Sequence, residues 1–149
     1  MQKVLLHEIL AQNRKTCLHV FDKITPENAR FRSADAAASA GFIYRHVGET
    51  INRLGIFLGV PTDVRNSTLG KADEGQGENL EESKKLVHQG FDMLQQYVEN
   101  TPDADWQDLL ETPFFGTVSR VRLFSHVLFH NAYHVGQIAL TLTRGKQDY

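Results

Sequence analysis

Apolar residues recur at three- and four-residue intervals in four long segments, and this helical period constrains the fold more than any other feature of the sequence. It predicts helices over residues 2–21, 33–58, 80–99 and 117–143. The sequence shows no convincing strand alternation. We therefore expect an all-α fold, a four-helix bundle in which residues 1–149 form a single domain.

The segments between the helical patterns predict two connections. Residues 60–79, VPTDVRNSTLGKADEGQGEN, are rich in glycine and small polar residues and predict a long loop between helices 2 and 3. Residues 103–115 are expected to form a second connection. Ser33 is the expected N-cap of the second helix, and Gly145 is the expected cap after the fourth. Apolar residues lie all around the circumference of the fourth predicted helix. We therefore expect it to be buried against several neighbours.

The composition excludes several kinds of partner. The 149 residues carry a net charge of −2 and no basic stripe, which argues against nucleic acid or an anionic membrane surface. Cys17 is the single cysteine, so no intrachain disulfide can form. No apolar run approaches the ~20 residues of a membrane span, and the N-terminal run is too broken for a signal peptide. We therefore expect a cytoplasmic protein.

Three histidines form a row on the fourth predicted helix, in the run HVLFHNAYH from His126 to His134. Residues four apart on a helix lie on one face, so His130 and His134 can direct their rings at one point, as two ligands of one metal do. His126 lies about 12 Å along the axis from His134, too far to share that ion comfortably. A buried pair that only forms hydrogen bonds is the alternative reading.

A third ligand would have to come from another helix, and His46 is the best candidate. It lies midway along the second helical pattern, and Phe42, Ile43 and Leu54 share its side of the helix. An apolar flank indicates that the ring points inward. A single histidine on such a face is more often a hydrogen-bonded core residue than a metal ligand, so the sequence alone leaves this choice open.

Three segments resemble the DinB/YfiT-like superfamily: HNAYHVGQIALTLTRG at 130–145, SAGFIYRHVGETINRL at 39–54 and ITPENARFRS at 24–33. The resemblance covers nearly the whole chain in order and spacing. It implies a four-helix bundle in which three histidines bind one divalent metal ion. Carried over position by position, the metal ligands are His46, His130 and His134, and zinc or nickel is the expected ion.

Several residues near these histidines have two readings. His126 is either a residue behind the ligands or a packed histidine. Gly136 is expected to allow close helix packing, and Gln137 could orient a ligand imidazole. Glu49 and Arg53 are expected to form a solvated ion pair, with a role beside the metal as the alternative. The sequence assigns no residue a catalytic role.

Three nitrogen ligands leave a coordination position open, as in catalytic zinc sites. The resemblance implies an enzyme that transfers low-molecular-weight thiols such as bacillithiol or mycothiol, with a small molecule as substrate and the long loop as a cover over the site. The alternatives are a metal-dependent hydrolase, for which Glu49 is a possible base, and a stress-related binding or dimerisation module without enzymatic activity.

We also expect a homodimer. Apolar residues on the first and third predicted helices extend beyond one narrow stripe, and uncovered apolar patches often mark partner surfaces. The alternative is that they only widen the core stripe. The residues concerned are Val4, Leu5, Leu18, Val20, Met93 and Tyr97.

Overall fold

The computed structural model describes residues 2–146, which contain four α-helices. These are α1 (Gln2–Phe21), α2 (Ala40–Gly55), α3 (Leu80–Asn100) and α4 (Arg120–Arg144). Short 3-10 helices follow α2 at Ile56–Leu58 and α3 at Asp103–Gln107. The predicted mostly helical fold is therefore confirmed, and within the described residues no helix is long and apolar enough to cross a membrane.

All four helices contribute to one hydrophobic core. Helix α2 packs against α3 and α4, and α1 packs against α4 and α3. The core contains Leu10 of α1, Val47 of α2, Phe91 of α3 and Val127 of α4. Burying a side chain of this size contributes about 1.5–3 kcal/mol. Helix α2 is buried along most of its length, so residues at its centre lie inside the protein.

Helix α2 begins later than its sequence pattern predicts. Ser39, not Ser33, is the N-cap, and its side-chain oxygen accepts a hydrogen bond from the Phe42 N–H at 3.2 Å. The backbone of Arg32 is instead paired with that of Lys146, with N···O distances of 2.9 and 3.0 Å. This pairing keeps the chain extended where the sequence predicted the first helical turn. The predicted cap at Ser33 is wrong for that reason.

Two short strands lie in a segment whose sequence pattern did not indicate strands. Strands β1 (Leu109–Thr112) and β2 (Gly116–Ser119) form an antiparallel hairpin before α4. The Thr112 hydroxyl closes the turn by donating to the Gly116 carbonyl at 3.0 Å, and Gly116 has a φ of 63°. Four residues per strand are too few for alternation to stand out. The hairpin also moves the start of the fourth helix from the predicted residue 117 to Arg120.

Helix α4 packs against several neighbours, as expected, among them α1, α2 and β2, but one of its faces is uncovered. Phe129, Tyr133 and Leu140 are 75%, 65% and 51% exposed. Packing against α1 and α2 covers only part of a helix circumference. Gly136 lies on the uncovered face, and a Cβ there would meet no described atom within 4 Å. The expected role of Gly136 in close helix packing is therefore wrong.

The connection between α2 and α3 packs closely against the start of α2. Residues 59–79 contain no helix or strand. A Cβ at Gly77 would overlap the backbone of Gly41 and Phe42. Asp73 accepts a hydrogen bond from the Ser39 N–H at 2.8 Å and forms an ion pair with Arg32 at 2.9 Å. These contacts hold the connection in one place on the helical core.

Substitution by alanine is expected to have opposite effects on stability at Gly77 and at Gly136. Gly77→Ala should lower the free energy of unfolding by ~1–3 kcal/mol, because the added methyl group has no space beside the α2 backbone. Gly136→Ala should raise the free energy of unfolding of the monomer by ~0.5–1 kcal/mol, because alanine is the better helix former and no described atom of the same chain obstructs it. Urea unfolding of both variants measures the difference. A Gly77→Ala variant as stable as the wild type would contradict the close contact.

Candidate metal centre

Three histidine rings meet between α2 and α4. His46 lies midway along α2, and His130 and His134 lie one turn apart on α4. The Nε2 atom of His130 is 3.2 Å from Nε2 of His46 and 3.1 Å from Nε2 of His134. Among residues 2–146, these three form the one group of potential ligands close enough together to hold a metal ion.

The hydrogen-bond partners of two rings fix which nitrogen carries the proton. His134 Nδ1 is 2.6 Å from the side-chain oxygen of Gln137, which can only accept, so Nδ1 donates. His46 Nδ1 is 3.1 Å from the Thr68 hydroxyl, and that hydroxyl donates to Glu49 at 2.9 Å. Thr68 must therefore accept from His46. In both rings Nε2 is left with a free lone pair directed at the meeting point.

Burial keeps all three rings neutral near pH 7. It lowers the pKa of His46 to about 4 and, together with repulsion from the neighbouring rings, that of His130 to about 3. Burial also lowers the pKa of His134. A neutral imidazole has one N–H, so the three facing Nε2 atoms share at most one proton, carried by His130. A cation would satisfy the lone pairs that face one another without a proton.

The spacing of the nitrogens fits such a cation. Metal–nitrogen bonds of about 2.0–2.1 Å in a tetrahedral site separate the ligand nitrogens by roughly 3.3–3.4 Å. The two Nε2 distances of 3.1 and 3.2 Å are within a few tenths of an ångström of that value. The residues present therefore fit a divalent ion held by three imidazoles, with a further coordination position left for another group.

A pocket of about 470 Å³ adjoins the histidine group. His46, Thr68, His134 and Gln137 contribute to its lining, and most of the remaining lining residues are apolar. None of the described residues that line it is Asp, Glu, Lys or Arg. The apolar and small lining residues are Ala37, Ala38, Phe42, Ile43, Leu69, Gly70 and Leu140.

Glu49 does not form the predicted ion pair with Arg53. It is 1% exposed and accepts hydrogen bonds from Arg45 Nε at 2.7 Å and from the Ser67 N–H at 2.8 Å. Arg53 donates to the Val64 carbonyl instead. Burial alone would raise the pKa of Glu49, but the hydrogen bonds from Ser67, Arg45 and Thr68 outweigh it and lower the pKa. The carboxylate is therefore ionised. Hydrogen bonds from the loop residues Ser67 and Thr68 take the place of hydrogen bonds from water.

His126 lies outside the group of three, as its distance along the helix predicts. Its ring packs edge-on against Phe115, with 4.5 Å between ring centroids, and its centroid is 6.2 Å from that of His130. Burial lowers its pKa. The reading of His126 as a packed histidine agrees with these contacts.

Thr68 and Ser67 reach the site from the loop, and no pattern in the sequence indicated that they would. The only local signal is the turn residue Asn66, whose side-chain oxygen accepts from the Leu69 N–H at 2.8 Å. That pattern indicates a turn but not where in the fold the turn lies. Gln137, by contrast, follows His134 on the same helix, and its side-chain oxygen contacts the His134 ring, as expected.

These features define a class: a mostly helical protein with three convergent histidines on its second and fourth α-helices. Residues 9–138 match the DinB superfamily, and the chain belongs to that family. The resemblance of the three sequence segments is thereby confirmed. No curated protein matches the sequence.

The geometry predicts which histidines hold metal. Alanine at His46, His130 or His134 should each remove most of the bound zinc, because two imidazoles cannot complete the site. His126→Ala should retain zinc, since its ring lies outside the group. Elemental analysis of zinc-loaded, desalted protein purified without a metal-affinity tag measures this. Loss of zinc from His126→Ala but not from His134→Ala would place the site one turn away.

Proposed function

We propose that the protein binds one divalent ion, zinc or nickel, through His46, His130 and His134, and transfers a low-molecular-weight thiol to a small electrophile. The observation that carries this proposal is the group of three neutral imidazoles beside a pocket with an uncharged lining. We also propose that the four helices form the bundle of the family and that residues 60–79 cover the site. A cytoplasmic location suits this activity, because thiols are kept reduced there.

The ligand set favours sulfur as the added group. Three neutral imidazoles leave the full double positive charge on the ion, so an anionic fourth ligand is strongly attracted. When bound, the ion would lower the pKa of a thiol and hold the thiolate as a nucleophile. The protein supplies the neutral rings, kept neutral by burial, and the hydrogen bonds that orient two of them.

The pocket would hold the electrophile against that sulfur. Its apolar walls, including Phe42, Ile43 and Leu140, would exclude water and bind an uncharged carbon skeleton. In the reaction a sulfur–carbon bond forms and the leaving group departs with the electrons of its bond to carbon. The thiol proton passes to solvent. No described side chain needs to act as an acid or a base.

A hydrolase is less well supported. It would need a base beside the site, and Glu49 was the candidate from the sequence. The Glu49 carboxylate is occupied by Arg45, Ser67 and Thr68 and does not line the pocket. No observation favours a module without activity either, so both alternatives become outcomes of the test.

The transferase proposal predicts dependence on both the thiol and the metal. Zinc- or nickel-loaded protein should consume monochlorobimane with bacillithiol or mycothiol, and activity should fall by at least tenfold after chelation or in His130→Ala, as loss of an essential ion requires. His126→Ala is the matched control and should stay active. Turnover without thiol would indicate a hydrolase. Metal binding with no turnover of either kind would indicate a binding module.

We further propose a homodimer, with a revised face. Of the residues that the sequence suggested, Leu18, Val20, Met93 and Tyr97 pack against the core, and only Val4 and Leu5 are exposed. Helix α4 has the better surface: an uncharged stripe that alternates large and small side chains. The stripe consists of Phe129, Ala132, Tyr133, Gly136 and Leu140, all exposed.

A second copy of the chain is the occupant that suits this stripe. Two copies running antiparallel about a twofold axis would place the large residues of one over the small residues of the other. Ala132→Glu should then yield monomers, because it buries an unpaired charge. Ala11→Glu, at an exposed position of α1 that lines a pocket between α1 and α3, should leave the dimer intact. Light scattering over a range of dilutions measures the mass, and a monomeric wild type would overturn the proposal.

A further inference from the structure

The Thr68 hydroxyl lies between a ligand histidine and a buried carboxylate. Its oxygen is 2.9 Å from Oε2 of Glu49 and 3.1 Å from Nδ1 of His46. A hydroxyl has one proton, so a hydroxyl that donates to Glu49 can only accept from His46. The chain of hydrogen bonds therefore runs in one direction, from the imidazole through the hydroxyl to the carboxylate.

The surroundings of Glu49 fix that direction. Its Oε2 atom also accepts from the Ser67 N–H at 2.8 Å, and its Oε1 atom accepts from Arg45 Nε at 2.7 Å. Arg45 is held from its other side by Glu82 at 2.9 Å. A backbone N–H and a guanidinium can only donate, so Glu49 must remain the acceptor of the whole arrangement. If Thr68 turned its proton toward His46, its oxygen lone pairs would face the Glu49 carboxylate, which is repulsive.

We propose that Thr68 is a positioning residue of the metal centre, which keeps His46 protonated at Nδ1 and leaves its Nε2 lone pair directed at the ion. The inference rests on the proposed metal site. Thr68 is not one of the proposed ligands, but it would determine how tightly the site binds the metal ion. Gln137 makes the equivalent contact for His134 from the same helix. For His46 the partner comes from the connection between α2 and α3.

The connection is built to hold Thr68 in place. Ser67 is fixed through both its N–H and its hydroxyl to Glu49, and Asn66 closes the turn that follows. Farther along, Gly77 packs on the α2 backbone and Asp73 binds Arg32 and the Ser39 N–H. Thr68 itself is 3% exposed. These contacts and the burial of Thr68 fix the position of its hydroxyl between His46 and Glu49.

Thr68→Val tests the proposal, because it keeps the shape of the side chain and removes the hydroxyl, which is the acceptor for His46 and the donor to Glu49. Zinc affinity, measured by competition with a chelator, should fall by about 10–100-fold. In the metal-free protein, ring proton–nitrogen NMR correlation spectra should show His46 shifting from the Nδ1–H toward the Nε2–H form. Thr68→Ser should restore both properties. Circular dichroism should show the same helical signal in all variants.

Thr141→Val is the matched control. Thr141 is a buried threonine of the same pocket, and within the described residues its side chain makes no hydrogen bond to a histidine. It should keep wild-type zinc affinity and His46 in the Nδ1–H form. If Thr68→Val does not fold, Thr68→Ala removes the same acceptor with a smaller side chain.

Two results would overturn the proposal: a Thr68→Val variant that binds zinc as tightly as the wild type, or one in which His46 keeps its proton on Nδ1. A wild-type protein that takes up no zinc would remove the proposed function. The NMR comparison of metal-free proteins would then still decide whether Thr68 orients His46, so the two failures are distinguishable.

Discussion

Three imidazole nitrogens that face one another with at most one proton among them impose the strictest requirement on this structure. Lone pairs that face one another repel, so the three rings must be held together by the rest of the fold. The packing of α2 against its neighbours does this. Helix α3 approaches α2 closely at two glycines: a Cβ on Gly48 would lie 2.9 Å from Leu86 Cβ, and one on Gly90 would lie 2.5 Å from Ile51 Cγ2. With α3 on one side and α4 on the other, His46 has little freedom to withdraw from His130 and His134.

The buried carboxylate of Glu49 shows a second requirement of the same site. Burying a charge costs several kcal/mol unless it is paired and fully hydrogen-bonded, and even a paired charge seldom stabilises a fold more than a well-packed apolar group would. Glu49 has donors from Arg45, Ser67 and Thr68. The stability of the fold does not explain why a buried carboxylate is present at this position. Its effect on the hydrogen bond between Thr68 and His46 explains it better.

The sequence predicted most of the helical framework because the helical period is a local property. Helices α1, α3 and α4 begin and end within a few residues of the predicted positions, and the spacing of His130 and His134 follows from helix geometry alone. The errors arise where distant parts of the chain meet. Pairing of Arg32 with Lys146 delays α2, and the loop supplies the partners of Glu49 and His46, which no local pattern could reveal.

The contact between Thr68 and His46 means that the geometry of the histidine group does not depend on the helices alone. Helical cores change slowly in evolution because each substitution disturbs packing, whereas connecting segments accept insertions and deletions readily. A relative with a shorter or longer segment between α2 and α3 could keep the same three histidines and lose the oxygen behind one of them. At the metal site proposed here, variation in loop length would then set how tightly each member of a lineage can hold an ion, without any change in the three histidines themselves.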